Sequence, residues 1–471
     1  MKTTTKYLLL MLFVGFSISC FEDNDDNAVS SRNINDFVWK AMNAVYLYKA
    51  DVPHLADDHF TNNTDYQDFL AQYESPELLF ESLIYDRESV DRFSVITSNY
   101  FALEQLLSGV SKSSGAEYNF YYLPGSSTHI FGVVRLVLPN SNASQTTLER
   151  GQIFNKINGT PLTADNYRTL LANEVYTLNM ANYEDNNTED VSDDTVSDTN
   201  DAITLTKTVY IENPVYSTKI INLGEKKVGY LMYNGFVNEF DAELNQAFGT
   251  FKAQNIDHLV LDLRYNPGGS VSTATALGSM ITGGFNDQVF AKLQFNETLQ
   301  SNNYNYLFTN TLSNGDPINS LNLDKVYVIT TGASASSSEM IINSLKAYID
   351  VVQIGSTTVG KSQASQLVYD SPNLSRNNVN PTHTYALLPL IAITVNKNNT
   401  VVPASGLAPD IELYEKASHY GTIGTVYEPL LMAALDEILL SGRGFGVETN
   451  ASDNLIILNN LDEKKALMLA D

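Results

Sequence analysis

Short runs of β-branched and aliphatic residues that stop abruptly at glycine, serine or asparagine recur through the second half of the chain. Lys227-Val-Gly-Tyr-Leu-Met-Tyr233, His258-Leu-Val-Leu-Asp-Leu-Arg264, Asp324-Lys-Val-Tyr-Val-Ile-Thr330 and Val351-Val-Gln-Ile354 are of this kind and predict buried strands. Between them apolar residues return at helical spacing, over Glu239 to Gln254, over Ser270 to Ile281, and at Met340, Ile341, Leu345, Tyr348 and Ile349. One more helix is expected over Val426 to Leu440. Strands and helices in alternation predict an α/β core over 208–440. If its strands are parallel neighbours, their carboxyl ends share one edge, where open α/β sheets bind ligands.

The first half has a different rhythm. Residues 32–105 read as a helical segment, with Phe37, Ala41, Val45 and Tyr46 on one stripe and Leu78, Leu79, Leu83 and Ile84 on another. From 106 to 207 short strands follow, Tyr118-Asn-Phe-Tyr-Tyr-Leu123 and Gly132-Val-Val-Arg-Leu-Val-Leu138 among them. Inside this module, 184–201 carries eight acidic residues and no basic one, which predicts a mobile surface insertion or linker. A less readable tail occupies 441–471. With 471 residues the chain exceeds one ordinary core, and two or three modules are expected.

Composition narrows compartment and partners. Lys2 and Lys6 precede the apolar run Tyr7 to Ile18, too short to span a bilayer, and the run ends at Ser19-Cys20. Residues 1–20 therefore read as a signal peptide. Cys20 is the single cysteine, so no internal disulfide is expected, and its place resembles a bacterial lipoprotein box with Cys20 as the lipidated residue. Residues 21–31 form a polar, acidic tether similar to that of surface lipoproteins of the Bacteroides type. The implied site is the cell envelope, as an outer-membrane lipoprotein facing periplasm or surface, with membrane contact through the lipid anchor only. A net charge of −26 argues against nucleic acid as a partner.

Three predicted strand ends carry chemistry. After Thr330 comes Thr331-Gly-Ala-Ser-Ala-Ser-Ser-Ser-Glu339, after Ile354 comes a turn ending at Lys361, and after Arg264 comes Tyr265-Asn-Pro-Gly-Gly269. A serine hydroxyl becomes a nucleophile when a base removes its proton, and a lysine buried among apolar groups can serve, because desolvation disfavours its ammonium form. The glycine pair lets backbone N–H groups approach a developing oxyanion. Ser334, Ser336, Ser337 and Ser338 read equally as turn and helix-cap residues, with Glu339 in the first helical turn. His129, His258 and His383 sit in no strand-end motif, and His54 and His59 lack a third ligand, so no metal and no cofactor is expected.

Leu259-Val-Leu-Asp-Leu-Arg-Tyr-Asn-Pro-Gly-Gly269, the Ser-Ala-Ser-Ser-Ser-Glu segment, Gly355-Ser-Thr-Thr-Val-Gly-Lys361 and Gly406-Leu-Ala-Pro-Asp410 resemble, in order, the motifs of the carboxyl-terminal processing or tail-specific proteases, the S41 serine peptidases. The likeness covers about Lys219 to Leu413 and extends more loosely back to Asp91. It implies a crotonase-like (ClpP-like) core, Ser336 as nucleophile, Lys361 as general base 25 positions on, and oxyanion donors at Ser337 and at Gly268 or Gly269. Glu339 and Thr358 match supporting positions. The family's lysine-orienting glutamine falls at Ser365, with Gln363 and Gln366 nearby; a one-residue shift of the motif would give that role to Gln366, and an aspartate found in some members is Ala347 here. Leu148-Glu-Arg-Gly-Gln-Ile-Phe-Asn-Lys-Ile-Asn-Gly159 resembles a PDZ signature, with Gly115-Ala-Glu-Tyr118 where a carboxylate-binding loop would sit. The expected function is a serine endopeptidase acting on extended or C-terminally recognised polypeptides. Its alternative is a catalytically inactive crotonase-fold surface lipoprotein that binds peptides or another polymer.

Overall fold

The computed structural model describes residues 31–188, 190–440 and 467–470; the expected signal peptide, tether and lipidated Cys20, and most of the 441–471 tail, lie outside the described residues. The chain enters through helix α1 (Ser31–Val45) and the short helices Asn63–Leu70, Pro76–Ser82 and Tyr100–Leu107. Asn62, Ser75 and Asn99 cap the last three, each side chain accepting an N–H three residues on. Phe37, Ala41 and Tyr46 of the expected stripe pack with Leu55, Leu70, Leu79 and Leu83. This segment is not purely helical. Strand β1 (Val95–Thr97) pairs antiparallel with Ala386–Leu388 and stitches it to the core.

Strands β2 (Ala116–Tyr122), β3 (Ile130–Val137), β4 (Ile153–Ile157), β5 (Val175–Glu184) and β6 (Thr195–Thr206) form an antiparallel sheet in that order. Its core holds Tyr118, Phe120, Val134, Phe154 and Leu178, and the helix Tyr167–Ala172 covers it. The acidic stretch 184–201 is not a linker. Its residues from Thr195 onward belong to β6, and Val191 and Val196 pack against Tyr121, Phe131 and Tyr420. Asp198 is exposed and pairs with Lys156, whereas Asp194 is buried and accepts the Tyr183 hydroxyl, so composition concealed the strand. Excising 184–201 is accordingly expected to lower the melting temperature by about 5 °C or more, read by calorimetry. At the Gly115 loop Glu117 is buried against Arg135 (3.2 Å) and the Gly115 carbonyl accepts the Leu138 N–H (2.7 Å), so these groups are engaged internally.

The core follows with β7 (Val215–Leu223), β8 (Lys226–Tyr233), α2 (Asp241–Gln254), β9 (His258–Asp262), β10 (Gly268–Ser270), α3 (Val271–Thr282), β11 (Val289–Phe295), β12 (Lys325–Thr330), α4 (Ser337–Leu345), β13 (Asp350–Gly355), β14 (Gln363–Ser365), β15 (Leu390–Asn396), β16 (Ile411–Glu412), α5 (Pro429–Leu440) and β17 (Leu467–Leu469). The main sheet runs β7-β8-β9-β12-β13-β16, antiparallel only between β7 and β8. Strand alternation covers both faces. Leu231, Leu259, Leu261, Val326 and Val328 pack with α2, α3 and α4, while Tyr230, Met232, Val260, Ile329 and Ile354 pack with α5. Each such buried side chain contributes roughly 1.5–3 kcal/mol. Helix α4 stops at Leu345, and Tyr348 and Ile349 pack from the turn that follows. A second sheet, β10-β17-β14-β15-β11 plus Tyr304–Leu307, lies against α3 and α4.

Candidate active site

The parallel register Asp262↔Ile329↔Ile354 sets the ends of β9, β12 and β13 side by side. The turn after β9 is anchored by the fully buried Arg264, which donates to Asp262 and Glu428 (2.7 and 2.6 Å). Arg150, from the β-rich module, reaches the same turn through the Tyr265 hydroxyl (2.9 Å) and Glu415 (2.6 Å).

The turn after β12 packs on the turn after β9 through its serines. The Ser334 hydroxyl donates to the Leu263 carbonyl (2.8 Å), that of Ser337 to Gly269 (2.8 Å) and that of Ser338 to Asn266 (3.0 Å). Ser336, at the N-cap of α4 with its side chain toward the Glu339 N–H, is the one of the four whose buried hydroxyl donates to no described residue. Its backbone stands at φ 64°, a left-handed conformation that costs a non-glycine residue about 1–3 kcal/mol. Of the four serines, which residue type alone does not separate and among which the resemblance singles out Ser336, this hydroxyl is the one uncommitted. As first residue of α4, Ser337 has an N–H without an intrahelical acceptor.

Gly268 and Gly269 lie at φ 107° and 133°, and a Cβ on Gly269 would stand 2.1 Å from the Phe236 carbonyl. The Gly268 N–H is given to Asn266 Oδ1 (2.9 Å), while Gly269 stands opposite Met468 in the parallel pairing of β10 with β17 (Leu467–Leu469).

Glu339 joins the two remaining turns. Its Oε2 accepts the N–H groups of Ser336 (2.7 Å) and Lys361 (2.9 Å), and its Oε1 accepts the Gly360 N–H (2.6 Å) and the Thr358 hydroxyl (2.5 Å). Thr358 in turn accepts the Leu407 N–H (2.7 Å). Every neighbour of the carboxylate is a donor. Burial raises the Glu339 carboxyl above its ordinary range, and these four donors pull against the rise. Gly360 and Gly406 permit the close approach: a Cβ on either would meet a backbone oxygen at 2.1 or 2.0 Å.

The Lys361 side chain is fully buried. Desolvation lowers its amine from 10.5 to about 7, opposed by the nearby carboxylates of Asp91 and Glu339. Its Nζ lies 5.0 Å from the centre of the Phe93 ring. Asp91 is itself buried, accepting the Tyr46 hydroxyl (2.7 Å) and the Ser94 N–H (2.8 Å), while Arg92 donates to the Gly360 carbonyl (3.1 Å). The sequence reading missed Asp91, Arg92 and Phe93, because they lie some 270 positions from the lysine and follow no strand-end pattern. Asp91→Asn keeps one of the two accepting oxygens, the one facing the Ser94 N–H, and removes a charge that favours the ammonium form, so the pH at which activity appears should fall below about 7. A pH–rate profile checks it.

Gln366 requires correction. It is exposed at the end of β14, where strand alternation turns it away from the buried Ser365; Gln363 donates to the Tyr48 hydroxyl (3.0 Å) instead. His383 is engaged by Asp370 (2.9 Å), and among the described residues no three His, Cys, Asp or Glu side chains are arranged to hold a metal ion.

An uncommitted serine on a strained turn, a buried lysine and N–H donors at the carboxyl edge of an α/β sheet define a site of the serine-peptidase class. Residues 227–413 match the family model for peptidase family S41, and 33–95 match that for the peptidase S41 N-terminal domain, together just over half of the chain. The chain belongs to peptidase family S41. A carboxyl-terminal-processing protease of Picosynechococcus sp. is 25% identical over 245 residues, 51% of this chain and 52% of that protein, so the match spans about half the relative's length. A candidate CtpA-like serine protease of Staphylococcus epidermidis is 29% identical over 157 residues, 33% of this chain and 30% of that protein. Among solved structures, a candidate S41 protease of Bacteroides fragilis superposes with a TM-score of 0.68 at 27% identity, over 86% of this chain and 97% of that one. No helix among the described residues is long and apolar enough to cross a membrane.

Proposed function

We propose that the protein is a serine endopeptidase with a Ser336–Lys361 dyad that cleaves extended polypeptides in the cell envelope. The observation that carries this reading is the shared Glu339 oxygen: one carboxylate holds the backbone of the uncommitted serine and of a fully buried lysine whose amine desolvation lowers to about 7. Neutral Lys361 takes the proton as Ser336 Oγ bonds to the scissile carbonyl carbon. The oxyanion is held by the N–H groups of Gly269 and Ser337. Lys361 then gives its proton to the departing amine as the C–N bond breaks, and water enters by the reverse sequence to release the acyl group. Glu339 and Thr358 position these groups without touching the substrate.

The dyad needs no metal or cofactor. In the same reading 32–105, 106–207 and 208–440 are the helical, PDZ-like and catalytic domains, and Cys20 carries the lipid that fixes the enzyme to the outer membrane. A fluorophosphonate probe should label the protein at Ser336, identified by peptide mass spectrometry. Absence of labelling at pH 8 in a folded sample would count against a nucleophilic serine. Mass spectrometry of the membrane fraction is expected to find acyl chains on Cys20, and Cys20→Ala to release the protein.

A further inference from the structure

Strand β17 is short, yet it lies between two parts of the candidate site. It pairs parallel with β10, Gly268 against Leu467, Gly269 against Met468 and Ser270 against Leu469. On its other side Leu469 pairs parallel with Ser365 of β14, and the Ala470 N–H donates to the Ser365 carbonyl (3.1 Å). Two ladders place β10 and β14 about 9.6 Å apart, the width of one inserted strand. Following the parallel register back from Ser365, Leu467 is level with Gln363, the second residue after Lys361. The backbone at Leu467 thus runs between the oxyanion glycines and the lysine turn.

Little besides β17 fills this slot. Its three residues face Gly-Gly-Ser on one side, which offers backbone and almost no side chain. Without β17, β10 keeps only a bridge to Phe236 and β14 keeps only β15, so two unpaired edges would face each other across a strand-wide gap. Unpaired edges are templates for another extended chain. Met468 is wholly buried in the core cluster, whereas Leu469 borders an apolar cleft formed with Leu106, Leu107, Phe236, Val237 and Gly268. The slot thus has one deep apolar position and one apolar position at its rim.

We propose that the slot between β10 and β14 is the acceptor for extended apolar polypeptide, entering parallel to β10, and that Leu467–Ala470 of this chain is its tethered occupant. The catalytic meaning of this placement rests on the peptidase reading above. The occupant must leave before a substrate enters, and the substrate it models carries a medium-sized apolar residue at the Met468 position.

The test compares the full chain with a chain ended at Asp462, each with Ser336 intact and as Ser336→Ala. In the Ser336→Ala pair, a fluorescein-labelled peptide of residues 463–471 should bind the shortened protein, by anisotropy, and bind the full chain roughly tenfold more weakly, as expected when the competent state is about one-tenth populated. With Ser336 intact, shortening should raise kcat/KM for β-casein by a similar factor, chiefly through KM. Peptide binding without hydrolysis by any form would leave the slot standing and remove the peptidase reading. Hydrolysis by a folded shortened protein that neither binds the peptide nor gains activity would overturn the slot. If the shortened protein does not fold, Met468→Asp in the full chain, which ejects the strand by burying a charge, carries the same comparison. Loss of fold in both would make β17 a structural strand and overturn the proposal.

Discussion

Ser336→Ala and Lys361→Met are each expected to reduce kcat for an unstructured polypeptide by about 10³-fold or more, and the double variant to be no slower than either single one, because the proposed nucleophile and base act as a unit. Lys361→Arg should be nearly as inactive: a guanidinium keeps its proton at any usable pH. In the parent, kcat/KM should rise with pH through about 7 as the buried amine loses its proton. Stability separates the base from a structural cation. Lys361 holds its proton less tightly folded, at about 7, than unfolded, at 10.5, so between these values the unfolded chain binds more protons and stability climbs with pH. Below about 7 the full penalty remains. Lys361→Met removes it, and should stabilise the protein by a few kcal/mol at pH 6, with the gain fading toward pH 10. Urea titrations at several pH values read this directly. An unchanged or lowered midpoint at pH 6 would mean that the amine is not the strained group the geometry describes.

The parallel core was legible because its strands are buried on both faces. Val228, Tyr230 and Met232 turn to α5 while Leu231 and Tyr233 turn to the other helices, so the run stays apolar and ends sharply at polar turns. Strand β6 was not legible for the opposite reason: it is an antiparallel strand with one wet face, and its acids and threonines read as linker. The same division holds at the site. Gly268, Gly269, Ser336 and Lys361 follow strands and share local motifs, whereas the Phe93 ring and Asp91 reach Lys361 from another module. Only folding brings them within range. The sequence also could not separate four adjacent serines on residue type alone. Three hydroxyls prove to be fasteners to the 263–269 turn, a role that requires a partner loop no local pattern reveals. Gln366 shows how sharply one position matters in a strand, since a one-residue shift exchanges the buried face for the exposed one.

Glu339→Gln is expected to be as revealing as loss of either dyad residue. The carboxylate accepts four hydrogen bonds and is offered no acceptor in return. A glutamine amide can replace one oxygen, but its NH₂ must then face two donors, either the Ser336 and Lys361 N–H groups or the Gly360 N–H and the Thr358 hydroxyl. Two buried donors lose their acceptor, which costs about 2–5 kcal/mol of stability. The turns bearing nucleophile and base are no longer held to one atom, and misplacement on the order of 1 Å reduces turnover about 10²-fold. KM should change little, since Glu339 is wholly buried. The decisive readout is the pH profile. Glu339 favours the ammonium form of Lys361, so removing its charge should move the rise in residual activity below about 7. A purely structural role would weaken the fold and leave that limb in place; a downward shift with preserved KM identifies Glu339 as the residue that both positions the dyad and tunes its base.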